Sequence, residues 1–332
     1  MKKLVSVLTI IMLSFFTFVA CNQTKQVNMQ KVRVGEVTHS LFYAPLYVAL
    51  QNGYFKDEGL DIDLQTTAGG DKTMTALLSN GIDIALVGSE TSIYVYNQGA
   101  KDPVINFAQL TQTDGTFLVS RKKLDSFNWS DLEGSVFLGQ RKGGMPQMVG
   151  EYVLKKYGIN PQQDLTLIQN VEFANIANAF ASGTGDFVQL FEPTASIFEK
   201  EGKGYIVASF GKESGKVPYT SFMTKESYLK DNKKVIEKFT RALYKGQQWV
   251  DTHSPEEIAK VVTPLFEDTP QDIIVKVIER YKNQNSYATN PILDTEEWNN
   301  LQSIMKEAGE LPKEVPYDIL VDTSIAENVI NQ

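Results

Sequence analysis

Short apolar strand patterns alternate with helical patterns along most of this chain, and they do so in two successive series. The first series starts with an apolar strand pattern at 32–37 and includes another at 83–88 that runs directly into a helical segment. The second series follows the basic run 121–123 and starts with a strand pattern at 136–139. Alternation of this kind is typical of α/β units. The sequence therefore predicts an α/β fold with two similar halves.

The order of the patterns also indicates how the halves are connected. Extended patterns at 116–120 and 219–224 stand at the two ends of the second series, and the chain beyond them is almost wholly helical. We predict that these segments are two crossing strands, which place lobe one at 31–120 plus 220–332 and lobe two at 121–219. Two α/β lobes joined in this way form a hinged clamshell, with the ligand at the carboxyl ends of the strands.

The first thirty residues have a different character. A basic start, Lys2-Lys3, is followed by an uncharged and mostly apolar run that ends at Ala20, directly before Cys21. This pattern predicts a signal peptide at 1–20, and the segment at 18–21, Phe-Val-Ala-Cys, resembles a bacterial lipobox. Cys21 is the only cysteine, so a disulfide within the chain is impossible. We expect lipidation of Cys21, a polar tether at 21–30, and a location at the extracytoplasmic face of the cell membrane.

Charge and residue types exclude several functions. Removal of residues 1–20 takes away Lys2 and Lys3, so the net charge of −8 becomes −10, which disfavours nucleic acid as a partner. The sequence has no Gly-x-Ser-x-Gly motif, no Cys/His metal cluster, and only two histidines for acid–base chemistry. We therefore expect a monomeric binding protein without a cofactor, not an enzyme.

One long segment carries a family resemblance. Residues 45–60, PLYVALQNGYFKDEGL, are similar to the stretch A-x-x-x-G-Y-F-x-x-E-G-L of the substrate-binding proteins for nitrate, taurine, alkanesulfonates and thiamine-pyrimidine precursors. Further matches follow in order, at Gly69-Gly70-Asp71, 77–88, 141–146 and Glu192-Pro193. The resemblance implies a type II periplasmic-binding-protein clamshell that serves an ABC importer. Its partners would be a small-molecule ligand, a membrane permease and a separate cytoplasmic ATPase.

Candidate ligand contacts lie just after the predicted strands. In lobe one the loop after the first strand offers hydroxyl and aromatic groups, and a later strand end turns into a helix whose free N–H groups favour a polar ligand atom. Helix capping is the alternative role for Ser89 or Thr91, core packing for Phe42, and a polar turn for Asp114. The lobe-one candidates are Ser40, Phe42, Tyr43, Gly70, Ser89, Glu90, Thr91 and Asp114.

Lobe two contributes a basic glycine segment and a second acid. Arg141, Gly143 and Gly144 lie between a strand and a helix, where backbone N–H groups can approach an anion closely. Glu192 follows another strand and precedes a proline, which favours an extended and ordered backbone. The acids Glu90 and Glu192 favour an amino-bearing ligand, whereas Arg141 favours an anion.

These residues are compatible with two classes of ligand and with one other class of function. Aromatic side chains and acids recur at the strand ends, so we expect an aminopyrimidine or a similar thiamine-precursor heterocycle. The alternative in the same role is an alkanesulfonate, taurine or nitrate. A surface adhesin or sensor lipoprotein is the alternative from another class, and it would require a large exposed apolar patch.

Overall fold

The structure is a computed structural model that describes residues 29–332. The predicted signal peptide, Cys21 and all but the end of the tether at 21–30 lie outside these residues. Among the residues described, no helix combines the length and the apolar character needed to cross a membrane.

Two five-stranded sheets form the centre of the molecule. The first has the strand order β2-β1-β3-β10-β4, and the second has the order β7-β6-β8-β5-β9. The strands are β1 Gln30–Glu36, β2 Leu60–Thr66, β3 Ile84–Gly88, β4 Val104–Thr111, β5 Thr116–Ser120, β6 Val136–Leu138, β7 Thr166–Ile168, β8 Phe187–Phe191, β9 Tyr205–Ser209 and β10 Thr220–Lys225. We call the part built on the first sheet lobe one and the part built on the second sheet lobe two. The predicted two-lobed α/β architecture is confirmed.

Helices cover both sheets, and short 3₁₀ turns occur at Leu41–Tyr43, Trp129–Leu132, Phe173–Asn175 and Thr263–Leu265. The helices are α1 Ala44–Gln51, α2 Tyr54–Asp57, α3 Gly70–Leu78, α4 Glu90–Asn97, α5 Met145–Lys156, α6 Ile176–Ala181, α7 Thr194–Lys200, α8 Phe210–Ser214, α9 Glu226–Asp231, α10 Lys233–Thr252, α11 Pro255–Val262, α12 Gln271–Asn283, α13 Thr295–Glu307, α14 Tyr317–Leu320 and α15 Ser324–Ile330.

Parallel and antiparallel pairing within each sheet explains how the chain moves between lobes. In the first sheet β1 lies parallel to β2 and β3, while β10 runs antiparallel to β3 and β4. In the second sheet β6 lies parallel to β7 and β8, while β5 runs antiparallel to β8 and β9. The chain therefore passes between the sheets at 112–115 and returns at 215–219. The division predicted at residue 120 falls beyond β5, which pairs in the second sheet.

The long helix α10 shows why the helical tail packs on lobe one. Its apolar residues recur at helical spacing and form one buried face that lies against α1 and α15. The helices approach closely at Gly246, where an added Cβ would lie 2.4 Å from the carbonyl oxygen of Pro45. Any larger residue at 246 would therefore push α10 away from α1.

Candidate ligand-binding site

A cavity of about 350 Å³ lies between the two lobes, at the edge where the parallel strands end. From lobe one it is lined by residues at or just after the ends of β1, β2 and β3, namely 37–38, 69–71, 87–88 and 90–91. From lobe two it is lined by 140–146 after β6 and by Phe191 at the end of β8. Because parallel strands end at the same edge, the fold brings these separate loops together.

Glu90 is a buried acid in this cavity that lacks a full set of partners. Only 4% of the residue is exposed, and its Oε1 accepts a hydrogen bond from the backbone N–H of Met145, 3.2 Å away in lobe two. Among residues 29–332, Oε2 has no hydrogen-bond partner. Burial raises the pKa of Glu90 to about 8, so the side chain is largely protonated at neutral pH in the ligand-free protein.

A glycine makes this position of the carboxyl group possible. The Glu90 side chain folds back over Gly88, where an added Cβ would come within 2.1 Å of Oε2. Glu90 is the first residue of α4, so its carboxyl group stands at a helix start next to a strand end. Any side chain at 88 would displace the carboxyl group from the cavity wall.

Aromatic rings form much of the remaining wall. Tyr43, Tyr94, Phe173, Phe191 and Tyr219 all line the cavity. The Phe191 ring centroid lies 5.9 Å from that of Phe173 and 6.5 Å from that of Tyr219. Rings of this kind bind a flat ligand by stacking or by edge contacts.

Arg141 reaches the cavity but already has two acidic partners. One guanidinium nitrogen lies 2.9 Å from Asp71 Oδ2 in lobe one, and the other lies 3.2 Å from Glu172 Oε1. The hydrogen bond to Asp71 raises the pKa of Arg141. Because Asp71 and Arg141 belong to different lobes, this ion pair closes the cleft beside the cavity.

The glycine segment predicted to hold an anion also has internal partners. Gly143 has a left-handed backbone, with φ of 89°, and its N–H donates to Gln147 Oε1 at 3.0 Å. The N–H of Met145, which follows Gly144, donates to Glu90. These two N–H groups are therefore already used inside the protein.

The structure brings one group of predicted contacts together and leaves the others elsewhere. Around the cavity lie Tyr43, Gly70, Glu90, Thr91, Arg141, Gly143 and Gly144. The predicted contacts that do not line it are Ser40, Phe42, Ser89, Asp114 and Glu192.

Glu192 is buried in a different network. Its Oε1 lies 2.7 Å from an Arg280 nitrogen and accepts a hydrogen bond from the Ser196 hydroxyl, while Oε2 accepts one from the Ser196 N–H. Arg280 belongs to α12 of lobe one, so the Glu192 carboxylate ties the lobes together. Its charge is satisfied within the protein, away from the cavity.

The remaining four side chains have structural contacts. The Ser40 hydroxyl donates to the backbone oxygen of Glu192, and the Ser89 hydroxyl lies 2.8 Å from that of Ser221. The Phe42 ring fills the space above Gly115, where an added Cβ would lie 2.7 Å from it. Asp114 is fully buried and accepts a hydrogen bond from the N–H of Thr116.

Sequence reasoning missed several lining residues, and two of them had a readable signal. Tyr94 lies four residues after Glu90 in α4 and therefore on the same face of the helix. Tyr219 stands at the start of the predicted return crossing, where the chain re-enters lobe one. Phe173 and Met145 had no such signal. Within residues 29–332, no group of His, Cys, Asp and Glu side chains is arranged to hold a metal ion.

Comparison with known proteins gives the family. The model of the NMT1-like family matches residues 25–265. A protein of Bacillus subtilis (strain 168) named "Putative binding protein YtlA" is 64% identical over 317 residues, which cover 96% of this chain and 94% of that protein. The formylaminopyrimidine-binding protein of Halalkalibacterium halodurans is 23% identical over 252 residues, 72% of this chain and 74% of that one.

A solved structure supports the fold. The alkanesulfonate-binding protein SsuA of Xanthomonas axonopodis pv. citri, bound to MOPS, superposes with a TM-score of 0.72. It is 17% identical, and the match covers 89% of this chain and 98% of that one. The predicted periplasmic-binding-protein fold and the family resemblance are thus confirmed. The chain belongs to the NMT1-like family and is a binding protein, not an enzyme.

Proposed function

We propose that this protein is the extracytoplasmic substrate-binding component of an ABC importer and that its ligand is an aromatic nitrogen heterocycle with an amino group, of the aminopyrimidine type. The single observation that carries the ligand class is the unpartnered, buried carboxyl oxygen of Glu90 in an aromatic-lined cavity. A buried polar atom without a partner costs about 1–3 kcal/mol, and a ligand group that forms a hydrogen bond with it would remove that cost.

The hydrogen-bonding pattern of Glu90 fits the edge of an aminopyrimidine. Such an edge has an N–H donor on the amino group next to an acceptor nitrogen in the ring. A protonated carboxyl group offers one O–H donor and acceptor oxygens, so the two edges match at two points. The pKa of about 8 keeps Glu90 in this protonated form at neutral pH.

The aromatic wall and the size of the cavity suit the same ligand. Tyr43, Tyr94, Phe173, Phe191 and Tyr219 offer ring faces and edges on several sides of the space. The volume of about 350 Å³ is in the range of small-molecule sites. A nitrate ion would leave most of this volume unfilled.

The charges at the cavity disfavour the alternative, which is an alkanesulfonate, taurine or nitrate. An anion requires positive charge or free N–H donors, but Arg141 already contacts Asp71 and Glu172. Lys142 is exposed at the rim. Protonated Glu90 offers an anion one O–H donor and no positive charge. The distant relative named for formylaminopyrimidine agrees with the heterocycle.

The two-lobed architecture supports a role in capture and delivery. Contacts from both lobes surround the cavity, so a ligand bound there favours the closed form by its differential affinity. In the proposed mechanism the closed form docks on a membrane permease, and a separate cytoplasmic subunit hydrolyses ATP. The protein would act as a monomer, and a lipid on Cys21 would anchor it to the membrane. Mass spectrometry of the N-terminal peptide from membrane extracts tests this anchor.

Isothermal titration calorimetry with a panel of aminopyrimidines, thiamine, riboflavin, taurine, alkanesulfonates and nitrate tests the ligand class. An aminopyrimidine should bind best. Glu90→Leu should weaken that binding at least about 100-fold, since it removes both hydrogen bonds at a buried site. Glu90→Gln should stay within about tenfold of the wild type, because an amide also presents one donor and one acceptor.

Thr263→Ser, on a 3₁₀ turn of lobe one that does not line the cavity, is a control for handling and folding. Tight binding of a sulfonate or nitrate with no binding of any aminopyrimidine would overturn the proposed ligand class. If the wild type and Glu90→Leu bound an aminopyrimidine with equal affinity, the role of Glu90 would be overturned.

A further inference from the structure

The two segments that connect the lobes meet beside the cavity. They run next to each other, with the N–H of Val217 donating to the Gln112 oxygen and the N–H of Tyr219 donating to the Thr111 oxygen. Asp114 lies on the first segment and Tyr219 at the end of the second. Both residues are buried, but only Tyr219 lines the cavity. A contact between them therefore links the hinge to the wall of the site.

Each of the two side chains has a buried polar atom that finds no hydrogen-bond partner in the described part of the chain. These atoms are Asp114 Oδ2 and the Tyr219 hydroxyl. The hydroxyl is close enough to the carboxylate to affect its ionisation, although the two atoms fall short of a direct hydrogen bond. Within residues 29–332 neither atom has another hydrogen-bond partner, so a bond between the two would satisfy both.

The remaining contacts of Tyr219 leave its ring with a defined position. The Phe42 ring packs edge-on against it, with the centroids 5.6 Å apart, and Phe191 lies 6.5 Å away. Phe42 is itself held against Gly115, the residue after Asp114. The packing of Phe42 and Phe191 therefore restrains the Tyr219 ring in the cavity wall.

We propose that Asp114 is a positioning residue that anchors the hydroxyl of Tyr219 and thereby sets the preference of the cavity for planar ligands. This inference rests on the proposed function. Asp114 does not touch the ligand itself. It holds the Tyr219 ring as a flat wall, and this wall favours a planar aromatic ring over a puckered aliphatic one of similar size.

Carboxyl ¹³C NMR of the ligand-free protein tests the contact without any ligand. Burial raises the pKa of Asp114 to about 6, and the Tyr219 hydroxyl acts in the opposite direction. Tyr219→Phe should therefore move the titration of Asp114 to higher pH. The other titratable side chains close to the pair are Tyr43 on the 3₁₀ turn, Glu90 on α4 and Tyr281 on α12. An unchanged Asp114 titration would overturn the contact.

Calorimetry with two probes, 4-aminopyrimidine and cyclohexylamine, tests the role in selectivity. Asp114→Asn should reduce the ratio of the two affinities by about five- to tenfold, because the anchored wall matters for the planar ring. The matched control is Ser214→Ala, which removes the acceptor of the Asp114 N–H but leaves the carboxylate in place. It should lower Tm and leave the ratio unchanged.

The outcomes separate the two proposals. If the ratio of the affinities for 4-aminopyrimidine and cyclohexylamine fell equally in Asp114→Asn and Ser214→Ala, the role of Asp114 would be structural only. The positioning role would then be overturned. If the wild-type protein bound neither probe, the proposed ligand class and the selectivity role would both fall. The NMR titration would still decide whether Asp114 and Tyr219 are in contact.

Discussion

Glu90 and Glu192 are two buried carboxyl groups on opposite lobes, and each follows a strand of its own sheet. Their exposed fractions are similar, 4% and 1%. Glu192 has a guanidinium partner on Arg280 and two hydrogen bonds from Ser196. Glu90 has one backbone N–H from Met145, and no cation pairs with it among the residues that the structure describes. Glu90 and Glu192 thus share their position after a strand, but they differ in the partners that the protein gives them.

The difference shows which buried acid is available to a ligand. A buried charge that is paired and hydrogen-bonded within the protein stabilises a particular arrangement of lobes, and it has no capacity left for a solute. A buried acid without partners is costly in the empty protein. That cost is reasonable where a ligand supplies the missing partners, and sites of this kind often contain strongly perturbed acids.

The pH dependence of stability is the strongest way to break this comparison. The folded pKa of Glu90, about 8, lies above its ordinary value of 4.5, so the folded state holds a proton that the unfolded chain has lost. Stability of the ligand-free protein should therefore fall as pH rises from about 5 to 8, by roughly 3–4 kcal/mol from this group. Glu90→Gln, which cannot ionise, should show a flatter profile.

Thermal unfolding between pH 5 and 8 measures this effect, with Glu192→Gln as the matched control. That substitution makes the same chemical change at an acid with an arginine partner, so it should lower Tm throughout the range. If wild type and Glu90→Gln kept parallel profiles, Glu90 would already be ionised in the empty cavity. The contrast between the two acids would then fail.

Removal of the cation beside Glu192 should have the next largest effect. Arg280→Met leaves a buried carboxylate with only the donors of Ser196 and should destabilise the protein by about 2 kcal/mol. The estimate is below the usual range for a buried pair, because the Arg280 side chain is 23% exposed and partly screened. Urea unfolding measures the loss.

The control for Arg280→Met is Lys200→Met, which breaks an exposed ion pair between the same lobes. Lys200 lies 3.0 Å from Asp272, and both side chains are largely in solvent, so the cost should be below about 1 kcal/mol. Equal losses in the two variants would mean that the Glu192 network is no more than another surface pair.

Much of the fold was predictable because it depends on local periodicity. Alternating strand and helix patterns identified both lobes and the helical tail. The pairing of β5 with β8 and β9 was not predictable. Packing with distant parts of lobe two determines the partners of an antiparallel strand, and the local sequence at 116–120 does not specify them. The boundary between the lobes was therefore placed beyond this strand.

The candidate site was predictable only where a residue type and its position agree. Glu90 combines an acid with a strand end and a helix start, and the structure places it in the cavity. Glu192 has similar local features, but its partner Arg280 comes 88 residues later in the chain. Likewise, nothing in the sequence near Phe42 shows that its ring fills the space above Gly115. Long-range partners decide between core and cavity.

The smallest expected effect belongs to Arg141, a charged residue at the cavity that resembles Glu192 in having partners. Its side chain is 38% exposed and that of Asp71 is 55% exposed, so the ion pair contributes at most about 0.5 kcal/mol. Arg141→Ala should weaken aminopyrimidine binding only about two- to threefold, through a less stable closed form. This loss should shrink as salt is raised, because the pair is screened.

Calorimetry at two ionic strengths measures this change, with Lys31→Ala as the control. Lys31 forms an exposed ion pair with Asp63, between neighbouring strands of lobe one and away from the cavity, so its loss should leave affinity unchanged. If Arg141→Ala abolished binding of a sulfonate that the wild type holds tightly, the guanidinium would be a ligand contact. Arg141, and not Glu90, would then be the residue that binds the ligand. Asp71 and Glu172 would have to release Arg141 for that contact.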